Sequence, residues 1–317
     1  MSRIPSNRSE LQGVILAAGK GTRIQPFSQQ TPKPMLPILD RPLLVWQIEA
    51  MRELGIRDIV VVIGHLGHQI VSALGDGAKL GVRLSYVEQE TMLGIAHAVR
   101  QLEPAVDRPF LLFLGDIFFE TRNLGSMLEM YGREGVHGVL AVKREPSKDA
   151  IRRNFTVDLD ERGFVRRVIE KPRDPRTDLK GCGLYLFHPN IFDAVRRTPR
   201  TALRDEYELT DSIQIFIDYG YGVLPAEVVE RDLNLSTPSD LLDLNLHVLS
   251  KSGRANLVQD GAEVAPTARL SRCVVHAGAK IGAGVELDAC LVLGGELIGG
   301  GRHVRTIFSA GQPVICK

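Results

Sequence analysis

Between Leu16 and Pro37 the chain reads "LAAGKGTRIQPFSQQTPKPMLP", gathering Gly19, Gly21, Arg23 and Lys33 directly behind the apolar run Val14-Ile15-Leu16. Glycines let backbone N–H groups face an anion, and an arginine and a lysine supply the opposite charge. The chemistry this would serve is phosphate binding. The run is not a P-loop, which needs Gly, four residues, then Gly-Lys-Ser/Thr; Lys20 is followed by Gly21. Nor is it the dinucleotide fingerprint, because the third glycine is absent. On these residues alone a merely permissive, solvated loop stays open, since glycines mark turns as well as sites. A second candidate is Asp116, behind the apolar run "FLLFLG". A carboxylate there can hold Mg²⁺, a hard cation that prefers oxygen ligands, or can simply cap a turn.

These residues need elements to position them. "GVILAAG" reads as a buried strand and "RPLLVWQIEAMRELG" as a helix, with Leu44, Ile48, Met51 and Leu54 at helical spacing and Gly55 placed to end it. "DIVVVIG", "VRLSYVEQ" and "FLLFLGD" read as further strands, and "HQIVSALG" and "GIAHAVRQL" as the helices between them. Strand and helix in succession, with strands apolar on both faces, predict an α/β fold: a mostly parallel sheet covered by helices. Ligands bind such sheets in the crevice beyond the carboxyl ends of the strands, where both "LAAGKGTR" and "GDIFFE" would lie.

Beyond residue 120 the pattern is mixed. "FTVDLDERGFVRRVIEKP" reads as a strand pair turning at Glu161-Arg162-Gly163, and "GCGLYLF" as another strand. "ELTDSIQIFIDYG" is expected to be a helix with Thr210 as N-cap and Gly220 at its end. In "STPSDLLDLNLHVLS" the residues Thr237, Pro238 and Asp240 predict a capped helix that closes a first domain, residues 11–250. From 255 to 317 the chain divides into blocks of six with Val264, Leu270, Ile281, Leu287 and Leu293 near fixed phase. Short aliphatic periods of this kind are the signature of a parallel β-helix.

At 317 residues the chain is long enough for two domains. Its apolar and charged fractions, 44% and 24%, are those of a soluble globular protein. Lys+Arg of 39 against Asp+Glu of 38 leaves a net charge of +1, so no global field favours nucleic acid or an anionic membrane. No apolar run reaches the roughly 20 residues of a membrane span, and Met1–Glu10 lacks a leader's apolar core, so a cytoplasmic protein is expected. Cys182, Cys273, Cys290 and Cys316 form no C-x-x-C pair and no zinc spacing, which predicts buried or idle thiols. His65, His68 and His97 likewise lack ligand spacing, and surface or cap roles are expected for them.

The run from Leu16 resembles the N-terminal signature of the sugar-1-phosphate nucleotidyltransferases, G-x-G-T-R followed by P-K-P. "VEQETMLGIAHAV", "FLGDIFFE", "VIEKP", "GCGLYLF", "ELTDSIQ" and "DLNLSTPSDLL" resemble that family's later segments in order, from Leu11 to about Ser250. The tail is similar to the left-handed β-helix that many members carry.

The resemblance implies a Rossmann-like nucleotidyltransferase domain that joins a nucleoside triphosphate to a sugar 1-phosphate and releases pyrophosphate. Arg23 then resembles the arginine that grips the triphosphate, a task suited to a guanidinium fork. Lys33 and Lys171 resemble the lysines on the reacting phosphates, so the three form the implied catalytic set. Leu16, Ala17, Ala18, Gly19, Gly21 and Thr22 would wrap the nucleotide, with Gln89 reading a pyrimidine edge and Gly94 letting backbone approach the base. Asp116 and Asn234 would hold Mg²⁺, Asn234 standing where relatives carry Asp or Asn. Glu170, Gly183 and Phe155 would line the sugar. Phe155 departs from the family's Tyr-Gly-Val, and it is expected to narrow the sugar pocket. Gly181 stands where N-acetylglucosamine-using relatives tend to carry asparagine. UTP or dTTP with glucose 1-phosphate is the expected pair. A catalytically silent, nucleotide-sugar-binding regulatory relative and a cytidylyltransferase acting on a phosphorylated alcohol are the alternatives. The partners implied are the two small substrates, with no nucleic acid or membrane, and a homo-oligomer assembled through the β-helix.

Overall fold

The computed structural model describes residues 11–202 and 205–317. Met1–Glu10, expected to lack a leader's apolar core, lies outside the described residues. The chain divides into two compact units: one of Met1–Gly19 with Trp46–Asp232, the other of Lys20–Val45 with Leu233–Lys317.

The first unit is built on a nine-stranded sheet. Gln12–Leu16 lies between Asp58–Ile63 and Phe110–Leu114, parallel to both, and Arg83–Glu88 extends the parallel side beyond Asp58–Ile63. These are the apolar runs read as buried strands; Val14, Val60, Leu112 and Phe110 are buried because helices pack on both faces. On the other side Leu179–Phe187 runs antiparallel to Phe110–Leu114 and to Val136–Arg144. The strand pair Phe155–Leu159 and Val165–Glu170 is antiparallel and forms one edge of the sheet.

The helices follow the sequence reading with one correction. Leu43–Glu53, Gly67–Leu74 and Ile95–Arg100 are helical as expected. The helix Leu209–Asp218 is preceded by Glu208, whose φ of −84° and ψ of 133° make it the N-cap. Thr210 therefore sits inside the first turn, where its hydroxyl donates to Glu170 Oε2 at 3.4 Å instead of capping the backbone.

In the second unit Pro238–Lys251 is a helix with the expected capping box: Thr237 accepts from the Asp240 N–H, and the Asp240 carboxylate accepts from Thr237 N–H at 2.7 Å. This helix, read from sequence as closing the first domain, groups with the C-terminal strands. Those strands form three stacks of parallel strands, the faces of a left-handed β-helix, and Gln312–Ile315 closes one of them by pairing antiparallel with Thr306–Ser309. Glu263–Val264, Lys280–Ile281 and Leu297–Ile298 stack on one face, and Arg269–Ser271, Glu286–Asp288 and Arg302–Val304 on another. Ile281, Leu287 and Ile298 fill its core. Leu293 leaves the expected phase: the buried strand is Leu291–Val292, and Leu293 falls in the turn after it. All four cysteines are free and buried. Among the described residues no helix is long and apolar enough to cross a membrane.

Candidate active site

Within the first unit the expected nucleotide residues gather at the carboxyl ends of the parallel strands. Leu16 ends its strand, and Ala17 donates its N–H to the Val62 carbonyl at 2.8 Å. The Leu16 carbonyl accepts the Gly115 N–H at 2.9 Å, and the Ala18 carbonyl accepts from His65 N–H. A Cβ on Gly115 would lie 2.5 Å from the Leu16 carbonyl oxygen, so only glycine lets the turn bearing Asp116 approach that strand. Asp116 thus lies between Phe110–Leu114 and the next strand, Ile117–Thr121.

One side chain holds this turn from behind. Gln47, 3% exposed on the helix Leu43–Glu53, donates its amide to the Leu114 carbonyl at 2.9 Å and the Ile117 carbonyl at 2.7 Å, bracketing Gly115-Asp116. Its Oε1 is buried without a hydrogen-bond partner, so the amide is committed to this clamp. The sequence reading missed Gln47. Its signal was an amide set between the apolar Trp46 and Ile48, and the helix reading used only the apolar positions around it.

The base-reading candidates also meet in this unit. Gln89, 6% exposed, places its amide nitrogen 3.1 Å from His97 Nδ1. His97 therefore has a partner inside the site, where the sequence reading expected a surface or cap role. Gly94 has a φ of 105°, and a Cβ on it would sit 2.5 Å from the Tyr207 carbonyl oxygen. Its need for glycine is met by the chain's own backbone, which Tyr207 ties down by donating to Leu93 O at 2.7 Å and accepting from Ala96 N–H at 3.0 Å.

The sugar-side candidates stand on the antiparallel half of the sheet. Glu170 ends the strand Val165–Glu170, and Lys171 Nζ lies 3.7 Å from its Oε1. Lys171 has a φ of 42°, an uncommon backbone for a side chain of this size, fixed by its N–H donating to Asn154 O at 2.8 Å. The helix Leu209–Asp218 steadies this strand, since Gln214 Oε1 accepts from Val168 N–H at 2.9 Å. Phe155 is buried, its ring stacked on Tyr185 at 6.0 Å with planes 17° apart. Gly183 has a φ of 71° and faces Ile117 and Leu114.

Beside them lies a buried ion network that no motif announced. Asp232, its side chain 1% exposed, pairs with Lys180 and, at 2.8 Å, with Lys143, which also meets Glu145 at 3.2 Å. Two lysines and two carboxylates balance in charge, the condition for burying them.

The second unit carries the other signature residues. Gly21 has a φ of 62° and opens the short turn Thr22–Ile24, and its carbonyl accepts from the buried Ser28 hydroxyl at 2.7 Å. Arg23 is exposed, whereas Lys33, in the turn Lys33–Met35, is 7% exposed. The hairpin that follows, Pro37–Ile38 with Arg41–Pro42, is fixed by Asn245: its Oδ1 accepts Leu39 N–H at 2.7 Å and its Nδ2 donates to Pro37 O at 3.0 Å. Asn234 is exposed at the end of the strand Val229–Asn234.

A mostly parallel sheet with a glycine-rich loop behind its first strand defines a nucleotide-handling α/β protein. The Nucleotidyl transferase family model matches residues 12–250. A glucose-1-phosphate thymidylyltransferase of Streptomyces griseus is 32% identical over 286 residues, covering 84% of this chain and 78% of that one. A UTP–glucose-1-phosphate uridylyltransferase, AglF, of Haloferax volcanii is 32% identical over 230 residues, covering 73% and 93%. A UDP-glucose pyrophosphorylase solved with UDP-glucose has the same fold, with a TM-score of 0.66 at 22% identity over 76% of this chain and 98% of that one. The chain belongs to the nucleotidyl transferase family. It is a nucleotidyltransferase enzyme, of the sugar-1-phosphate group.

Proposed function

We propose that the protein transfers a nucleotidyl group from UTP or dTTP to a sugar 1-phosphate, with glucose 1-phosphate as the first candidate, giving the nucleotide sugar and pyrophosphate. The observation that carries this reading is the complete signature on an intact fold. Arg23, Lys33, Asp116 and Lys171 are all present, and Asp116 stands at the end of a central parallel strand. Relatives named for both uridylyl and thymidylyl transfer to glucose 1-phosphate support the pair of substrates.

The reaction needs an oxygen of the sugar phosphate to attack the α-phosphorus. A new P–O bond forms there, the bond to the β-phosphate bridging oxygen breaks, and pyrophosphate departs with that electron pair. No covalent enzyme intermediate and no base are required, because the attacking oxygen is already an anion. The protein's task is to align two anions and offset their repulsion. In this reading Gly19, Gly21 and Thr22 wrap the triphosphate, and Arg23 holds the departing pyrophosphate in its fork. Lys33 and Lys171 meet the reacting phosphates, while Glu170 grips sugar hydroxyls beside Phe155 and Gly183.

Among the described residues no group of three or more His, Cys, Asp or Glu side chains could hold a metal. In this reading the Asp116 carboxylate, and the neutral amide oxygen of Asn234, would be ligands of Mg²⁺, a cation that keeps water and phosphate oxygens as most of its ligands. Bound there, Mg²⁺ would supply charge neutralisation on the triphosphate. Residues 11–250 are the catalytic domain in this reading, and 255–317 the surface through which copies of the chain assemble.

The test is pyrophosphate release, with Mg²⁺, from a matrix of nucleoside triphosphates against sugar 1-phosphates and phosphocholine. UTP or dTTP with one hexose 1-phosphate should give the signal. Turnover only with CTP and phosphocholine would replace this reading with the phosphorylated-alcohol one. Silence across the matrix with triphosphate binding intact would favour a regulatory relative.

A further inference from the structure

The hydrogen bond between Gln89 and His97 determines which end of the Gln89 amide is on offer. Gln89 Nε2 lies 3.1 Å from His97 Nδ1. A neutral imidazole accepts at one nitrogen only, so one of the two amides on the ring donates and the other accepts; with Gln89 Nε2 as the donor, Nδ1 accepts and the ring carries its proton on Nε2. That Nε2 edge meets the Gln101 amide at 3.4 Å, and the two ends of an amide are isosteric, so Gln101 can turn its oxygen to the ring proton. Tyr207 stacks on the other side of the arrangement, with ring centroids 6.3 Å apart and planes at 26°. Burial, and secondarily the Arg100 charge, lower the imidazole's pKa and favour this neutral form. With one N–H of the nitrogen directed at the ring, the carbonyl oxygen is the end of the Gln89 amide turned away from His97. The backbone beneath is fixed, because Gln89 N–H donates to Ile63 O at 2.8 Å.

We propose that His97 is a positioning residue that sets base choice: by accepting from Gln89 Nε2 it presents Gln89 Oε1 to the base. That oxygen selects pyrimidines that carry an N3–H, uracil and thymine, over cytosine, whose N3 is itself an acceptor. The inference rests on the proposed reaction, in which Gln89 meets the base. Cytosine would set a lone pair against Oε1 and leave a buried acceptor unpaired, a loss of about tenfold or more in kcat/KM.

A protonated His97 would donate from both nitrogens. Gln89 would then give its oxygen to the ring and present Nε2, so the preference for uracil should weaken as the pH falls through the imidazole's titration. The charged and titratable groups on the pair's own and neighbouring segments are Arg100 on the same helix, Glu88 and Glu90 beside Gln89, and Glu206, Tyr207 and Glu208 on the segment packed against Gly94. The two helices that pack against this one add Asp193, Arg196 and Arg197 on Ile191–Arg197 and Asp211 and Asp218 on Leu209–Asp218. Arg200 lies over Tyr207. All of these persist in a His97 variant, so the difference between variant and wild type isolates the imidazole.

The experiment measures kcat and KM for UTP, dTTP and CTP with the full chain, for wild type, His97→Ala and His97→Asn, between about pH 5 and pH 8. Asn can offer Oδ1 near the place of Nδ1 and accept the same bond. His97→Ala should raise KM for UTP about tenfold with kcat within about twofold, and reduce the UTP:CTP preference about tenfold. His97→Asn should restore most of that preference and remove its pH dependence. The wild type should lose preference toward acid pH. If UTP or dTTP is turned over but the alanine variant keeps the wild-type preference and pH profile, the role of His97 is overturned. Equal loss in the alanine and asparagine variants would also overturn it, because that would mark a space-filling role. A wild type that turns over neither UTP nor dTTP overturns the reaction as proposed, and this inference with it. If the alanine variant does not fold, the asparagine variant and the wild-type pH profile still decide the question.

Discussion

The ring of Phe155 occupies the space above Gly181: a Cβ built on Gly181 would lie 1.9 Å from Phe155 Cζ and 2.1–2.2 Å from both Cε atoms. The ring cannot withdraw easily. It stacks on Tyr185, which stacks in turn on Phe187 at 5.6 Å. A side chain at 181 and a ring at 155 therefore compete for one volume.

Gly181→Asn alone should destabilise the protein by about 1–3 kcal/mol through overpacking, and Phe155→Ala alone by about 3–5 kcal/mol through the cavity it leaves. In the double variant the asparagine fills part of that cavity. The two costs should then fall short of additivity by at least about 1 kcal/mol in urea unfolding. Strict additivity would mean that the ring does not lie over Gly181. Where the sugar reading holds, the double variant should also gain turnover with N-acetylglucosamine 1-phosphate, which the same pyrophosphate assay reads.

Arg23 is exposed, so its removal should leave the fold untouched. Arg23→Ala is expected to change unfolding stability by no more than about 0.5 kcal/mol, yet to lower kcat by about a hundredfold or more. Arg23→Lys should recover only part of the loss, because a point charge cannot reproduce a two-point grip. Full activity in the alanine variant would remove the role assigned to this residue.

The Gln47 clamp on Leu114 and Ile117 makes a distinct prediction for Asp116. Asp116→Ala should abolish Mg²⁺-dependent turnover. Gln47→Leu leaves the carboxylate in place but frees the turn that carries it, so it should raise the Mg²⁺ concentration needed for half-maximal rate several-fold while saturating Mg²⁺ restores most of kcat. The magnesium titration checks this. A Gln47→Leu enzyme with an unchanged magnesium curve would mean that the clamp does not tune the site.

The parallel half of the sheet was legible because its strands, buried on both faces, read as unbroken runs such as "DIVVVIG", and its helices as apolar residues at helical spacing. The capping box at Thr237 was legible because three residue types at fixed offsets satisfy the same orphan N–H groups wherever a helix starts. Thr210 misled for the same reason: a good capping residue sat two positions past the true N-cap, inside the first turn, where a tertiary partner, Glu170, claimed its hydroxyl. Leu293 misled because a six-residue period tolerates a slip of one, here to the core residue Val292, without losing its aliphatic texture. Gln47 and His97 were illegible as site residues. Their importance lies in which atoms they meet across the fold, between residues 47 and 114 or 89 and 97, and a side chain's partner is not written in its own neighbourhood.

The Asp232 network yields a prediction about pH. For Glu145, burial alone would raise the carboxyl's pKa, but the Ser147 N–H and the Lys143 ammonium outweigh it, and the net shift is below the ordinary 4.5. For Lys143, burial alone would lower the pKa, but Asp232 and Glu145 outweigh it, and the net shift is above the ordinary 10.5. A carboxylate depressed in the folded state adds stability that is present above its unfolded value and lost as pH falls through the folded one. A lysine raised in the folded state adds stability that is present below its unfolded value and lost as pH rises through the folded one. Stability from this cluster should therefore be flat between those limits, falling on the acid side below about pH 4.5 and on the alkaline side above about pH 10.5. Asp232→Asn should cost about 3–5 kcal/mol at neutral pH, because it strands the buried Lys180 beside a neutral amide. Adding Lys180→Met should return much of that loss, and because Asp232→Asn removes the main partner that raises Lys143, the alkaline fall should be smaller in both variants, which urea unfolding across pH would read. If Asp232→Asn is tolerated within about 0.5 kcal/mol, the pair does not contribute to holding these strands together.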